Sequence, residues 1–150
     1  MRTDIEMLLD ESAIRQVLYR ITQAQDNFDE ESVVQEFTDD VSWTSTIPGV
    51  DLPPIQGREA LLAHFHGQHE KQRNMGVQGR HLVSNILYGQ RTPDTQQVHS
   101  IVTTVRVIEG KTDVGWTAMY DDTFVKTASG WKIRSRVFHA DAMLPVFSAK

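Results

Sequence analysis

The stretch Gly79-Arg80-His81-Leu82-Val83-Ser84-Asn85 decides how this chain is read, because the apolar spacing changes there from a period near 3.6 to a period of two. Alternation along a strand places His81, Val83, Asn85 and Leu87 on one face. That face mixes an imidazole and an amide with apolar groups. A strand face that buries apolar side chains must satisfy its polar groups, so His81 and Asn85 either have partners inside the protein or line a pocket. A histidine satisfied by a backbone carbonyl, or sitting at the solvated end of the strand, is the plainer alternative.

Downstream of Arg80 the alternation predicts strands near His81 to Tyr88, Gln97 to Ile108, Gly115 to Val125 and Trp131 to Phe138. Turn clusters at Thr92-Pro93-Asp94, Glu109-Gly110-Lys111 and Ala128-Ser129-Gly130 separate them, which describes a meander of four antiparallel strands. Upstream, the pattern is helical. Thr3 and Glu6 have capping-box spacing, and Ile14, Val17, Leu18, Ile21 and Phe28 fall near one stripe of a long amphipathic helix. Asp29 is placed to cap a short second helix through Phe37, with Glu30 and Glu31 in its first turn. Val41-Ser42-Trp43-Thr44 begins a short strand that runs into the Pro48-Gly49 turn, and Gly57-Arg58-Glu59 opens a third helix with Leu61, Leu62, Phe65 and His69 inward. Helices followed by a mostly antiparallel sheet make an α+β fold with the helices on one sheet face.

Composition narrows the function classes. The 150 residues with 39% hydrophobic content suit one domain over 1–150 with a substantial core. A net charge of -5 without a basic block disfavours nucleic acid as a partner. No apolar run approaches the roughly 20 residues of a membrane span, and acidic Asp4, Glu6 and Asp10 make the N-terminus unlike a signal peptide. The default compartment is therefore the cytoplasm. With no cysteine, thiolate catalysis and Cys-ligated zinc are both excluded.

The order of these parts resembles the SnoaL-like branch of the nuclear transport factor 2-like superfamily, which includes polyketide cyclases and scytalone dehydratase. The resemblance spans most of residues 10 to 139. It is carried by Gln25-Asp26-Asn27-Phe28-Asp29, Phe37-Thr38-Asp39-Asp40-Val41-Ser42-Trp43, Gly57-Arg58-Glu59-Ala60, Arg80-His81-Leu82-Val83-Ser84-Asn85, Tyr120-Asp121-Asp122 and Ser129-Gly130-Trp131-Lys132-Ile133. It implies a cone-shaped curved sheet wrapped by three N-terminal helices and enclosing a deep apolar cavity. It also implies a homodimer or higher homo-oligomer formed through the sheet.

In dehydratase-like members an aspartate ending the first helix pairs with the histidine that opens the strand after the third helix, positions matched by Asp26 and His81. A carboxylate that accepts from one ring nitrogen fixes the tautomer, makes the other nitrogen a better base and offsets the charge formed on proton uptake. Read from the residues alone, Asp26 lies about 120° from the Ile14/Leu18/Ile21 stripe, which leaves it a capping or solvent-facing role instead. Trp43 stands where the dehydratase has a tyrosine, and an indole donates a hydrogen bond but accepts no proton. Tyr120 shares a face with Ala118, Asp122 and Phe124, and the resemblance turns the Tyr120 position toward the cavity. His99, with Ile101, Thr103 and Val105, offers a further face that could look inward. The expected site is thus His81 and Asp26 for proton transfer, with Trp43, Asn85, His99, Tyr120 and Asp122 binding substrate.

Other patterns compete. His64-Phe65-His66-Gly67-Gln68-His69-Glu70 has the spacing of a cupin metal motif, but it lies in a helical run where residues two apart diverge. His81, His99 and His139 come from three strands and could meet at a metal. Lys132, Arg134 and Arg136 alternate as a solvated or subunit-facing row, and Trp116 and Trp131 are expected to pack on the sheet. The leading expectation is a lyase, isomerase or cyclase that needs no cofactor or metal, acting on a small apolar oxygenated molecule such as a polyketide, aromatic or terpenoid intermediate. The alternatives are a non-catalytic binding or dimerisation module of the same fold and a metal-dependent oxygenase or hydrolase.

Overall fold

In a computed structural model, which describes residues 3–142, the chain forms α1 (Asp4–Asp26), α2 (Glu30–Gln35), β1 (Phe37–Thr46), β2 (Ile55–Gln56), α3 (Arg58–Asn74), β3 (Gln78–Arg91), β4 (Thr95–Ile108), β5 (Lys111–Thr127) and β6 (Gly130–Ala140). The helix starts follow local chemistry. The Glu6 amide donates to Thr3 Oγ1 at 3.2 Å and the Thr3 amide donates to Glu6 Oε2 at 2.7 Å, which closes the capping box. Asp29 accepts from the Ser32 amide at 3.1 Å and so starts α2. Gly57 precedes α3 at φ +86°, a conformation that a side chain would strain. The second helix stops short of Phe37, which opens β1 instead, fully buried.

Among the described residues the sheet has six strands in the order β2-β1-β6-β5-β4-β3. Strands β3 to β6 are the expected antiparallel meander. The first strand is longer than its sequence signal and lies parallel to β6, with Trp43 opposite Arg136 and Thr44 opposite Val137. The helices cover one face of this curved, open sheet. Ile14, Val17, Leu18 and Ile21 of α1 are buried with Val98, Phe124 and Ile133 of the sheet. Removing each such side chain from water contributes roughly 1.5–3 kcal/mol. Asp10 pins the same helix, accepting from Trp131 Nε1 at 2.9 Å and from Lys126 Nζ at 3.1 Å.

Two β-bulges redirect side chains that simple alternation assigns to the wrong face. In β3 the register with β4 slips between Ser84 and Leu87, and Asn85 takes φ +52°. Beyond that point Ile86 and Tyr88 turn inward while Asn85 and Leu87 are exposed. Asn85 is therefore not a cavity residue. In β6, Ser135 pairs with Thr123 but Ile133 pairs with Phe124, so Arg134 is the extra residue. Arg136 consequently points into the protein with 1% of its surface exposed, in place of the solvated row expected for it. The His99, Ile101, Thr103 and Val105 face proves to be the outer one, because Val98, Ser100, Val102 and Thr104 are the buried set.

Candidate active site

The last residue of α1 meets the start of β3. Asp26 Oδ1 lies 2.7 Å from His81 Nδ1, and the His81 backbone amide donates to the same carboxylate at 3.1 and 3.2 Å. Both side chains are largely buried. Asp26 reaches this position because α1 packs on β3 as well as on the sheet core, so the residue flanking the apolar stripe faces a strand. With Nδ1–H committed to the carboxylate, Nε2 is the nitrogen that can exchange a proton with a ligand.

His81 forms part of the wall of a cavity of about 150 Å³ that lies between α3 and the inner sheet face. That volume suits a molecule with about one ring. The wall is mostly aromatic: the Trp116 ring sits 5.6 Å from His81, Phe138 5.5 Å from Trp116, and Tyr120 5.8 Å from Phe138. Trp43 closes the chain of rings at 6.4 Å from Tyr120, with its indole N–H donating to Ser45 Oγ at 3.0 Å. Leu52 and Ile47, from the loop between β1 and β2, cover one side. Burial raises the Tyr120 hydroxyl above its ordinary value, so it enters the cavity as a neutral donor.

Asp122 takes a different place from the one expected. It is fully buried behind the wall, accepting from Arg136 Nε at 2.7 Å and Nη2 at 2.8 Å. The guanidinium carbon lies 3.7 Å from the centre of the Tyr120 ring and 5.3 Å from that of Trp43. Burial alone would favour a neutral guanidine, but the Asp122 charge and hydrogen bonds outweigh it and hold Arg136 above its ordinary value. The pair thus braces two cavity rings from behind. His99 belongs to the opposite face of the sheet, where Asp121 binds both its Nδ1 and, at 3.1 Å, His139 Nε2. His81, His99 and His139 therefore do not converge.

Several cavity groups went unrecognised in the sequence. Trp116 lines the cavity and touches His81, whereas Trp131 is buried away from the cavity, with its indole N–H donating to Asp10 of α1. His64, Phe65, Gln68 and His69 of α3 all contribute to the wall. Their signal was present: Leu61, Phe65 and His69 recur at helical spacing and are buried, and His64 and Gln68 flank them. Burial lowers the His64 imidazole, so it stays neutral at neutral pH. The helical reading of the cupin-like stretch holds, and His66 points away from the cavity with most of its side chain exposed. The apolar C-terminal residues Met143, Leu144, Val146 and Phe147, a composition suited either to capping the cone or to binding a neighbour, lie outside the described residues.

This fold and cavity can be placed among known proteins. The profile of the SnoaL-like domain matches residues 6–137. The chain belongs to the SnoaL-like family. No curated protein sequence matches it. Among solved structures, an NTF2-like protein with a cystatin-like fold from Novosphingobium aromaticivorans is 20% identical, with a TM-score of 0.79 over 91% of this chain and 85% of that one. A protein described as a candidate scytalone dehydratase from the same organism is 19% identical, with a TM-score of 0.76 over 99% and 100% of the two chains. A protein from Catenulispora acidiphila, solved in complex with S-DNPA, is 24% identical, with a TM-score of 0.74 over 87% and 92%. The cone of the SnoaL-like fold accounts for the helices gathered on one sheet face. Among the described residues no helix is long and apolar enough to cross a membrane.

Proposed function

We propose that this SnoaL-like protein is a cyclase, isomerase or dehydratase that moves protons on a small, apolar, oxygenated molecule without a cofactor. The observation that carries the reading is the 2.7 Å contact between Asp26 and His81 in the wall of an aromatic-lined cavity. His81 Nε2 removes a proton beside a carbonyl, and Asp26 fixes the ring's tautomer and offsets the imidazolium that forms. The Tyr120 hydroxyl donates to the oxygen on which negative charge develops. Trp43 and Trp116 supply flat apolar surface for a ring. Proton removal next to a carbonyl already has an electron sink in the substrate, so acid-base groups suffice. The S-DNPA complex of one relative and the dehydratase description of another are consistent with a small ligand and this class of reaction.

A one-ring β-hydroxyketone tests the reading. With 3-hydroxycyclohexanone in D2O, the protein should accelerate exchange of the protons beside the carbonyl and loss of water to cyclohex-2-enone, both followed by NMR. His81→Ala should lower both rates by about 100-fold to 10,000-fold. Equal rates in that variant would overturn the assignment of the base. The exposed apolar side chains Leu82, Ile101 and Met119 on the outer sheet face support a homo-oligomer through the sheet, which native mass spectrometry measures.

A further inference from the structure

The cavity contains a second imidazole backed by a carboxylate. His69 Nδ1 lies 2.8 Å from Glu30 Oε2, the ring is 2% exposed, and it belongs to the α3 wall of the same cavity as His81. Two elements meet here, as at the first pair, but they are α2 and α3 instead of α1 and β3. The ring is fixed by edge contact with Phe28 at 5.5 Å and by Phe65 at 6.1 Å. Glu30 Oε1 also meets His66 Nδ1 at 2.8 Å, and Arg73 Nη2 stands 4.0 Å from Oε2. Hydrogen bonds from His66 and His69 hold the Glu30 carboxyl down at about 2, so it is ionised and accepts. Asp29, at the start of α2, adds a further negative charge near the ring. On the cavity side the ionisable neighbours are His64, kept neutral by burial, His81, Tyr120 and Arg106, the last paired with Asp113.

A structural strut between α2 and α3 needs only the Nδ1 bond. It does not need the ring to border a cavity that already holds a base. His69 Nδ1 makes the ring's one hydrogen bond among the described residues, which leaves Nε2 as the nitrogen that can exchange a proton with a ligand.

We infer that His69, backed by Glu30, is the cavity's second proton-transfer group and acts as an acid on a departing hydroxyl while His81 acts as the base. The inference deepens the proposed function and rests on it. The step starts with His69 protonated on both ring nitrogens beside the Glu30 carboxylate: His81 Nε2 takes the proton beside the carbonyl and that C–H pair becomes the new C=C bond. The C–O bond breaks with its electrons going to oxygen, His69 Nε2 delivers its proton there, and water leaves. His81 ends protonated and His69 neutral, and exchange with solvent restores both. The step requires a hydroxyl on the carbon β to the carbonyl.

The two reactions of 3-hydroxycyclohexanone separate the roles, because exchange needs only the base whereas loss of water needs both groups. His69→Gln should lower dehydration by about 100-fold and change exchange by less than about 2-fold, with His99→Ala on the outer face as a control that leaves both rates intact. If exchange and dehydration fall together in His69→Gln, or neither changes, His69 is only a strut and the inference is overturned. Loss of both rates in His81→Ala reports on the base alone. If wild type accelerates neither reaction, the proposed function falls and this inference with it, whereas 15N NMR of the imidazoles, with 4-nitrophenol as probe, tests separately whether His69 faces a bound ring. The expected result is a shift of His69 Nε2 with His99 unmoved, and in Glu30→Gln a smaller share of His69 carrying a proton on both ring nitrogens. No change at His69 up to the solubility of the probe overturns it.

Discussion

The inner and outer faces of one sheet carry the same chemical pair in opposite settings. Inside, Asp26 and His81 are about nine-tenths buried and border an aromatic cavity. Outside, Asp121 binds His99 and His139 with roughly half of the carboxylate and of the His99 side chain exposed. An ion pair in water is weakened by solvent screening, and exposed pairs are worth about 0–1 kcal/mol. In a low-dielectric wall the same contact orients a ring and strengthens its interaction with any charge that develops. Pairing alone does not mark a candidate site; the inner pair stands out because it borders an aromatic-lined cavity.

Each test of that contrast removes one group. The largest effect is expected at His81, where alanine should abolish proton exchange while His99→Ala leaves the rate within about 2-fold; similar losses at both would break the contrast between faces. Next comes Asp122→Ala, which strands a buried guanidinium and should lower stability by about 3–5 kcal/mol in chemical denaturation, whereas Asp121→Ala should cost at most about 1 kcal/mol. Asp26→Asn keeps an acceptor for the His81 amide but loses the charge. It should leave the fold intact, reduce the rate less than His81→Ala does, and alter the pH-rate profile, so an unchanged profile would detach the carboxylate from the chemistry.

The smallest effect is a pH dependence of stability. Glu30 is held at about 2 in the fold against an ordinary 4.5, so its folded value is depressed. Its contribution is then complete above the ordinary value and is lost as pH falls from about 4.5 toward about 2. Melting temperatures should show wild type exceeding Glu30→Gln near neutral pH, with the gap closing across that acid range. A constant gap would mean that the carboxylate acts by packing alone.

Much of this was legible in the chain. The Thr3/Glu6 and Asp29 caps, the Ile14 to Ile21 stripe and the four-strand meander all stand in the structure, as does the Asp26–His81 pairing, which the family resemblance implied and the helical wheel did not. Two of the misreadings, Asn85 and Arg136, have one origin. Alternation was extended through Asn85 and through Arg134, where bulges add a residue and reverse the faces beyond. That is why Asn85 left the site, and why Arg136 entered the protein to hold Asp122. Placing His99 was a different error, since both faces of β4 carry apolar residues and neither announces itself as inner.

The sequence by itself determined whatever is settled within about four residues: where helices begin, where turns fall and which period each segment follows. Only the tertiary structure decided which imidazoles share a space. Asp26 and His81 are 55 residues apart, and Glu30 and His69 are 39 apart. Contacts at such separations depend on strand register and on how helices lie across the sheet, and these are set by packing of the whole core, which no local pattern encodes.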